Sequence, residues 1–266
     1  MNIFFYIIIF AIGITFGSFY TLAVYRIPKG EDITHTHSYC PNCKHKLNFI
    51  DLIPVFSYIF LGGKCRYCKQ KIRPRYLILE TVSGLAFIVM AILLGLNVYD
   101  LTIQKIIDYA FFVLYFTFII LMSGIDKEYR KINKPVLMFG IIISIIYIVY
   151  LYMIDQNSIY RYAIYLAFFI ILLIADTITL KKHSKNSYTY SILLSIIIMA
   201  VFTGEFATIS AIITTLLGIA IYLIINKLKN NENKKIEYNK QIPIGLYLSI
   251  SNLIYVTFIL TYCKMV

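Results

Sequence analysis

Four cysteines stand as two pairs, Cys40-Pro41-Asn42-Cys43 and Cys65-Arg66-Tyr67-Cys68. Two residues between cysteines let one tight turn aim both sulfurs at a common point, and two such turns complete a tetrahedron. This is the donor set of a structural zinc ion with no open coordination position; two disulfides or unrelated free thiols are the other readings of the same four residues. With four thiolates at hand, His35 and His37 just upstream read as solvated loop residues. Cys263 reads as a packed apolar residue. Two carboxylates offer a different chemistry: Asp126, in Gly124-Ile125-Asp126-Lys127, and Asp176, in Ile174-Ala175-Asp176-Thr177. Two carboxyls about 3 Å apart share a proton, so the charged one can activate water while the protonated one polarises a carbonyl. The competing reading places both acids at a membrane interface, paired with Lys127, Arg130, Lys181 or Lys182.

The elements that position these groups follow from composition. Of 266 residues, 60% are hydrophobic and 14% charged, with mean hydropathy +0.77. Soluble domains are about 25% charged, so a water-soluble globule and a disordered chain are excluded. Five cysteines are too few for a disulfide-stapled secreted scaffold. Eight stretches approach the roughly 20 apolar residues that a membrane crossing needs: 1–25, 76–99, 106–125, 135–154, 162–180, 187–204, 206–226 and 241–263. Only Glu205 separates the sixth from the seventh.

Charge distribution tests this count. With both termini outside, the inward loops 26–75, 126–134, 181–186 and 227–240 hold 22 of the 25 Lys and Arg residues. The net charge of +12 is therefore a topology signal and a surface for anionic lipid, not a nucleic-acid footprint. The first stretch lacks a basic leader and runs into Arg26, which reads as a retained span rather than a signal peptide. No repeat at a fixed period is expected, and Lys227–Lys240 reads as a solvated connector. The expected fold is all-α and polytopic, with about eight transmembrane helices. It divides into a first helix (1–25), a cytoplasmic four-cysteine zinc loop (26–75) and a seven-helix membrane region (76–266). Helices three and five run in the same sense, which puts Asp126 and Asp176 at one membrane depth. Glu80, one turn into the second span, can support the loop or pair with Arg73 or Arg75.

Several short motifs resemble those of the prepilin peptidases, the polytopic leader peptidases of type IV pilus, competence and type II secretion systems. Gly17-Ser18-Phe19 with Tyr25-Arg26-Ile27-Pro28 is similar to the family's GSF…YRLP, and Ser38-Tyr39-Cys40-Pro41-Asn42-Cys43 to its SxCPxC. The run Asp51 to Tyr58 is similar to its IP…S segment, and Gly63-Lys64-Cys65-Arg66-Tyr67-Cys68, Arg75-Tyr76 and Glu80 to GKCRxC…RY…E. The resemblance implies a membrane aspartic endopeptidase that removes the short basic leader of prepilin or pseudopilin precursors at the cytoplasmic face. Asp126 and Asp176 correspond to the family's two catalytic aspartates. It also implies an N-methyltransferase activity using S-adenosylmethionine, associated with the cysteine loop, with Gly63 and Glu80 as candidate cofactor contacts. The chain departs from the pattern where Leu173-Ile174-Ala175-Asp176 replaces GxGD, at Asn133-Lys134 in place of Pro-Asp, at Ile178 and at Thr21. Two alternatives follow from these departures: a membrane methyltransferase without a working peptidase site, and a non-enzymatic scaffold for pilus assembly.

Overall fold

A computed structural model describes residues 2–154, 159–181, 187–230 and 242–262. Among them the long elements are all helices: α1 (Asn2–Arg26), α3 (Arg75–Leu93), α4 (Ile103–Tyr129), α5 (Lys134–Ile154), α6 (Ile159–Lys181), α7 (Ser187–Asn230) and α8 (Ile244–Tyr262). A short α2 (Phe56–Phe60) lies in the cysteine loop. Among the described residues six helices are long and apolar enough to cross a membrane, and Tyr160–Ala175 is a shorter apolar helix. The protein is thus a multi-pass membrane protein, as its composition requires.

The sixth and seventh expected spans are two helical arms of α7 that follow each other directly at Gly204, with no intervening loop; Tyr188–Ile225 is their apolar part. α7 is broken at Gly204, whose φ of 79° and ψ of 165° lie in a region open essentially to glycine alone. Its two arms meet adjacent residues of α8: Asn252 donates to the Thr203 hydroxyl (3.1 Å) and Thr215 to Ser251 (3.4 Å). On a straight helix those threonines would stand about 18 Å apart, so the chain bends sharply at Gly204. Counting the arms separately recovers the eight expected segments. Glu205, beside the break, accepts hydrogen bonds from Arg161 and Tyr165 of α6.

The chain forms two compact units, Met1–Val113 and Leu114–Val266, with the division inside α4. The first unit is organised by close packing of α1 on α3. A Cβ added at Gly13 would stand 2.8 Å from the Gly84 Cα, and one at Gly17 would stand 2.7 Å from the Glu80 Cα. This is the small-residue contact by which membrane helices approach each other without a hydrophobic driving force. The second expected span is shorter than its apolar run because α3 stops at Leu93. There the Gly95 amide donates to the Ile92 carbonyl and the Leu96 amide to the Ala91 carbonyl, closing the helix end around left-handed Gly95.

In the second unit Tyr115, Phe202 and Tyr147 stack in sequence, with centroids 4.8 and 4.6 Å apart. Beside this stack the Tyr115 hydroxyl donates to Asn252 (2.6 Å), extending the bond from Asn252 to Thr203. The chain of polar groups links α4, α8 and α7 where lipid offers no competing partner.

Candidate functional site

The loop between α1 and α3 brings the four cysteines together. Their sulfurs all lie within 4.8 Å of one another, with Cys40 Sγ 3.9 Å from Cys68 Sγ. A tetrahedron of Zn–S bonds of about 2.3 Å has edges of about 3.8 Å, so the cluster fits a zinc ion. Each pair sits on the same backbone turn. Lys44 and Lys69 donate their amides to the Cys40 and Cys65 carbonyls, and the Cys40 and Cys65 amides donate to the His45 and Gln70 carbonyls. Lys44 and Lys69 both adopt positive φ, and single antiparallel bridges, Tyr39 with Lys46 and Lys64 with Lys71, flank the two turns. The sequences Cys40-Pro-Asn-Cys-Lys-His-Lys and Cys65-Arg-Tyr-Cys-Lys-Gln-Lys are thus one knuckle used twice, a short duplication where no repeat was expected.

Donors around the sulfurs divide their acidities. The Gln70 amide and the Asn42 side chain bring the Cys68 thiol down to about 6. At Cys43 the His45 amide opposes a rise to about 11 that comes from desolvation and from the sulfurs of Cys40 and Cys68. Of these two thiols, Cys68 is the readier to present a thiolate to a metal. His35 stays outside the cluster, hydrogen-bonded to Asp32 and highly exposed.

Three buried ionic groups hold the loop. Arg26, at the end of α1, donates to the carbonyls of Asp32, Thr36 and His37. Asp51 accepts from Arg66 (2.6 Å), the Tyr67 hydroxyl and the Asn48 amide, joining the 3₁₀ turn Phe49–Leu52 to the second knuckle. Although desolvation works the other way, Arg66, the Asn48 amide and Tyr67 hold this carboxyl below the usual carboxylate range. Glu80 accepts from the Val55 amide (2.7 Å), and Ser18 also hydrogen-bonds its carboxyl. It therefore supports the loop, the first of the two roles its position allows. Gly63 closes the turn after α2 at φ 67°, where a Cβ would stand 2.9 Å from the Tyr58 hydroxyl oxygen. Both residues named as cofactor contacts are thus engaged in the architecture of the loop.

Asp126 occupies the second unit. It lies in the last turn of α4 and is fully buried. The Tyr188 hydroxyl donates to its Oδ1 (2.9 Å) and the Leu246 amide to its Oδ2 (3.3 Å). The same hydroxyl accepts from the Ile244 amide (3.2 Å). The carboxylate therefore sits on the N-terminus of α8, where unpaired amides and the helix dipole favour negative charge. Gly245 permits the approach, since a Cβ there would stand 3.0 Å from Oδ2. Sequence reading missed Tyr188 and Gly245. Pro243, just before the first residue of α8, was the available signal of a helix start. Asp176 belongs to α6, and its side chain lies outside the described residues, as do Cys263 and most of Lys227–Lys240.

Fold and site together define a polytopic helical membrane protein carrying a paired-knuckle cysteine loop and a buried helix-capping aspartate. Residues 11–94 match the model of the bacterial peptidase A24 N-terminal domain. Among curated proteins the chain is similar to the prepilin leader peptidase/N-methyltransferase of Klebsiella pneumoniae, 32% identical over 93 residues, covering 33% of this chain and 41% of the relative. The protein so named in Vibrio cholerae is 37% identical over 95 residues, covering 32% and 36%. That of Bacillus subtilis is 30% identical over 132 residues, half of each chain. These matches support the prepilin peptidase family that the motifs resemble. The chain spans half the length or less of these relatives. No solved structure matches it significantly.

Proposed function

We propose that the chain is an aspartic leader peptidase of prepilin or pseudopilin precursors, working at the cytoplasmic membrane face. The observation that carries this reading is the kinship of residues 11–94, the segment holding all four clustered cysteines. In the mechanism, Asp126 and Asp176 hold one water between them. One carboxylate takes the water's proton as it attacks the scissile carbonyl, and the other, protonated, donates to the carbonyl oxygen. The geometry of Asp126 supports its part, because donors from Tyr188 and α8 fix the carboxylate in one orientation. In this reading, which the distribution of Lys and Arg supports, both chain termini lie outside and the cysteine loop lies in the cytoplasm, where a reduced tetrad binds zinc. Zinc, when bound, cross-links the two knuckles and so fixes the loop. A pilin-type substrate brings an apolar helix behind its leader, and that helix lies in the bilayer with the scissile bond at the interface. The same protein then N-methylates the new terminus with S-adenosylmethionine as donor.

The test is Asp126→Asn and Asp176→Asn in the purified protein. Each variant is expected to lose leader cleavage while remaining membrane-inserted and zinc-loaded, and full cleavage by either removes the dyad. A second reading, methyl transfer alone, is favoured by a specific observation. The matched segment ends at residue 94, while Leu173 and Ala175 stand where the family has glycines. Labelled methyl transfer to a precleaved pilin, with no cutting of the intact precursor, would establish it.

A further inference from the structure

The cysteine loop carries a feature that neither zinc binding nor peptide cleavage uses. Between the knuckles, Phe49 and Phe60 are 84% and 83% exposed, Ile50 and Ile59 64% and 60%, and Phe56 52%. Large apolar side chains gathered over twelve positions of a water-facing loop are costly unless something covers them. We propose that the segment Phe49–Phe60 is an in-plane anchor that lays these side chains into the interface of an anionic bilayer, holding the zinc knuckles against the membrane.

Three observations select lipid as the occupant. The first is depth: the Val55 amide, one residue before α2, is bonded to Glu80. Glu80 lies about 7 Å along α3 from its first residue, Arg75. The apolar segment is thus held beside the first turns of a membrane helix, not out at the loop's tip. At the same level α3 turns exposed Ile78 (58%) outward as part of its lipid-facing side. The second is tethering, since the loop leaves α1 at Arg26 and re-enters α3 at Arg75. The third is charge. Residues 26–75 hold ten Lys and Arg against three acids. Lys44, Lys46, Lys64, Arg66, Lys69, Lys71 and Arg73 are all exposed around the apolar segment. Apolar residues that enter the acyl boundary and basic ones that meet anionic headgroups are the two components of interfacial attachment.

The chain contains no tryptophan, so one substitution supplies a single fluorophore. The full chain carrying Phe60→Trp or Phe49→Trp is reconstituted into phosphatidylethanolamine–phosphatidylglycerol vesicles, with and without bromine on the acyl chains. Ile78→Trp is the lipid-facing reference and His35→Trp the water-facing one. Bound zinc verifies that the loop is folded in each variant, and either aromatic site alone suffices for the test. The expected result is quenching by bromolipid within about twofold of the Ile78→Trp protein and at least about threefold above the His35→Trp protein. Quenching no greater than that of the His35→Trp protein overturns the proposal. So does a blue shift that appears only when an apolar helical peptide is added, which would make the segment a protein-docking surface. Neither readout depends on cleavage, so the anchor stands or falls separately from the peptidase reading.

Discussion

The cysteine loop and the Asp126 site solve the same problem, holding ionisable groups in fixed geometry, from opposite materials. In the loop the ligands are near neighbours in sequence, the turns are backbone hydrogen bonds, Arg26 and Glu80 clamp the loop to the flanking helices, and Asp51 ties its 3₁₀ turn to the second knuckle. At Asp126, on α4, the partners come from two further helices, at positions 188 and 244–246. A loop built on local turns needs an added cross-link to be rigid, which four thiolates and a metal supply. A site between packed membrane helices is already rigid, and only the carboxylate needs capping.

This contrast can be broken by experiment. The largest effect is expected from Asp126→Asn, which should lower leader cleavage by about 10²- to 10⁴-fold and leave bound zinc unchanged. Loss of zinc in that variant would mean that the two regions are not independent. Cys65→Ser should do the reverse at the metal. Zinc is expected to fall well below one ion per chain and trypsin to cut within residues 44–73, while the helices stay protease-resistant in the membrane.

Tyr188→Phe removes the hydroxyl shared by Asp126 and the Ile244 amide. A lost buried hydrogen bond costs about 1–3 kcal/mol, so cleavage should fall about tenfold, with Gly245→Ala producing a similar loss by crowding Oδ2. An unchanged rate in both would show that the cap does not orient the acid. The smallest effect concerns pH. Arg66, the Asn48 amide and Tyr67 depress the Asp51 carboxyl in the folded loop. Its contribution is therefore complete above the unfolded carboxylate pKa of about 3.9 and is lost as pH falls through the lower folded value. Asp51→Asn should weaken the loop throughout the neutral range and flatten its response below about pH 4. Zinc release followed with a chromogenic chelator would show this as earlier release on acidification.

What could be read from residues alone follows the same division. The two C-x-x-C pairs announced the metal cluster because a knuckle is local, and the apolar runs announced the helices because lipid demands them. The break at Gly204 was legible as a boundary, since Glu205 interrupts an otherwise apolar run, but not as a sharp kink that joins two helices without a loop. The close contact of α1 with α3 at Gly13, Gly17 and Gly84 stayed hidden, because small residues acquire meaning only when a second helix lies against them. The cap on Asp126 was equally hidden. Tyr188 and Gly245 lie 62 and 119 positions away along the chain, beyond any local pattern. The duplicated knuckle is visible in its spacing, but seven residues fall far short of the length of an architectural repeat.

The claim on which the functional reading rests is that this protein cuts a pilin leader. The purified 266-residue chain in lipid, incubated with an intact prepilin and weighed by mass spectrometry, tests it most directly. The expected product is lighter by the leader peptide, with a further gain of one methyl group when S-adenosylmethionine is present. Precursor recovered at its full mass, from protein shown to be zinc-loaded and membrane-inserted, would contradict it.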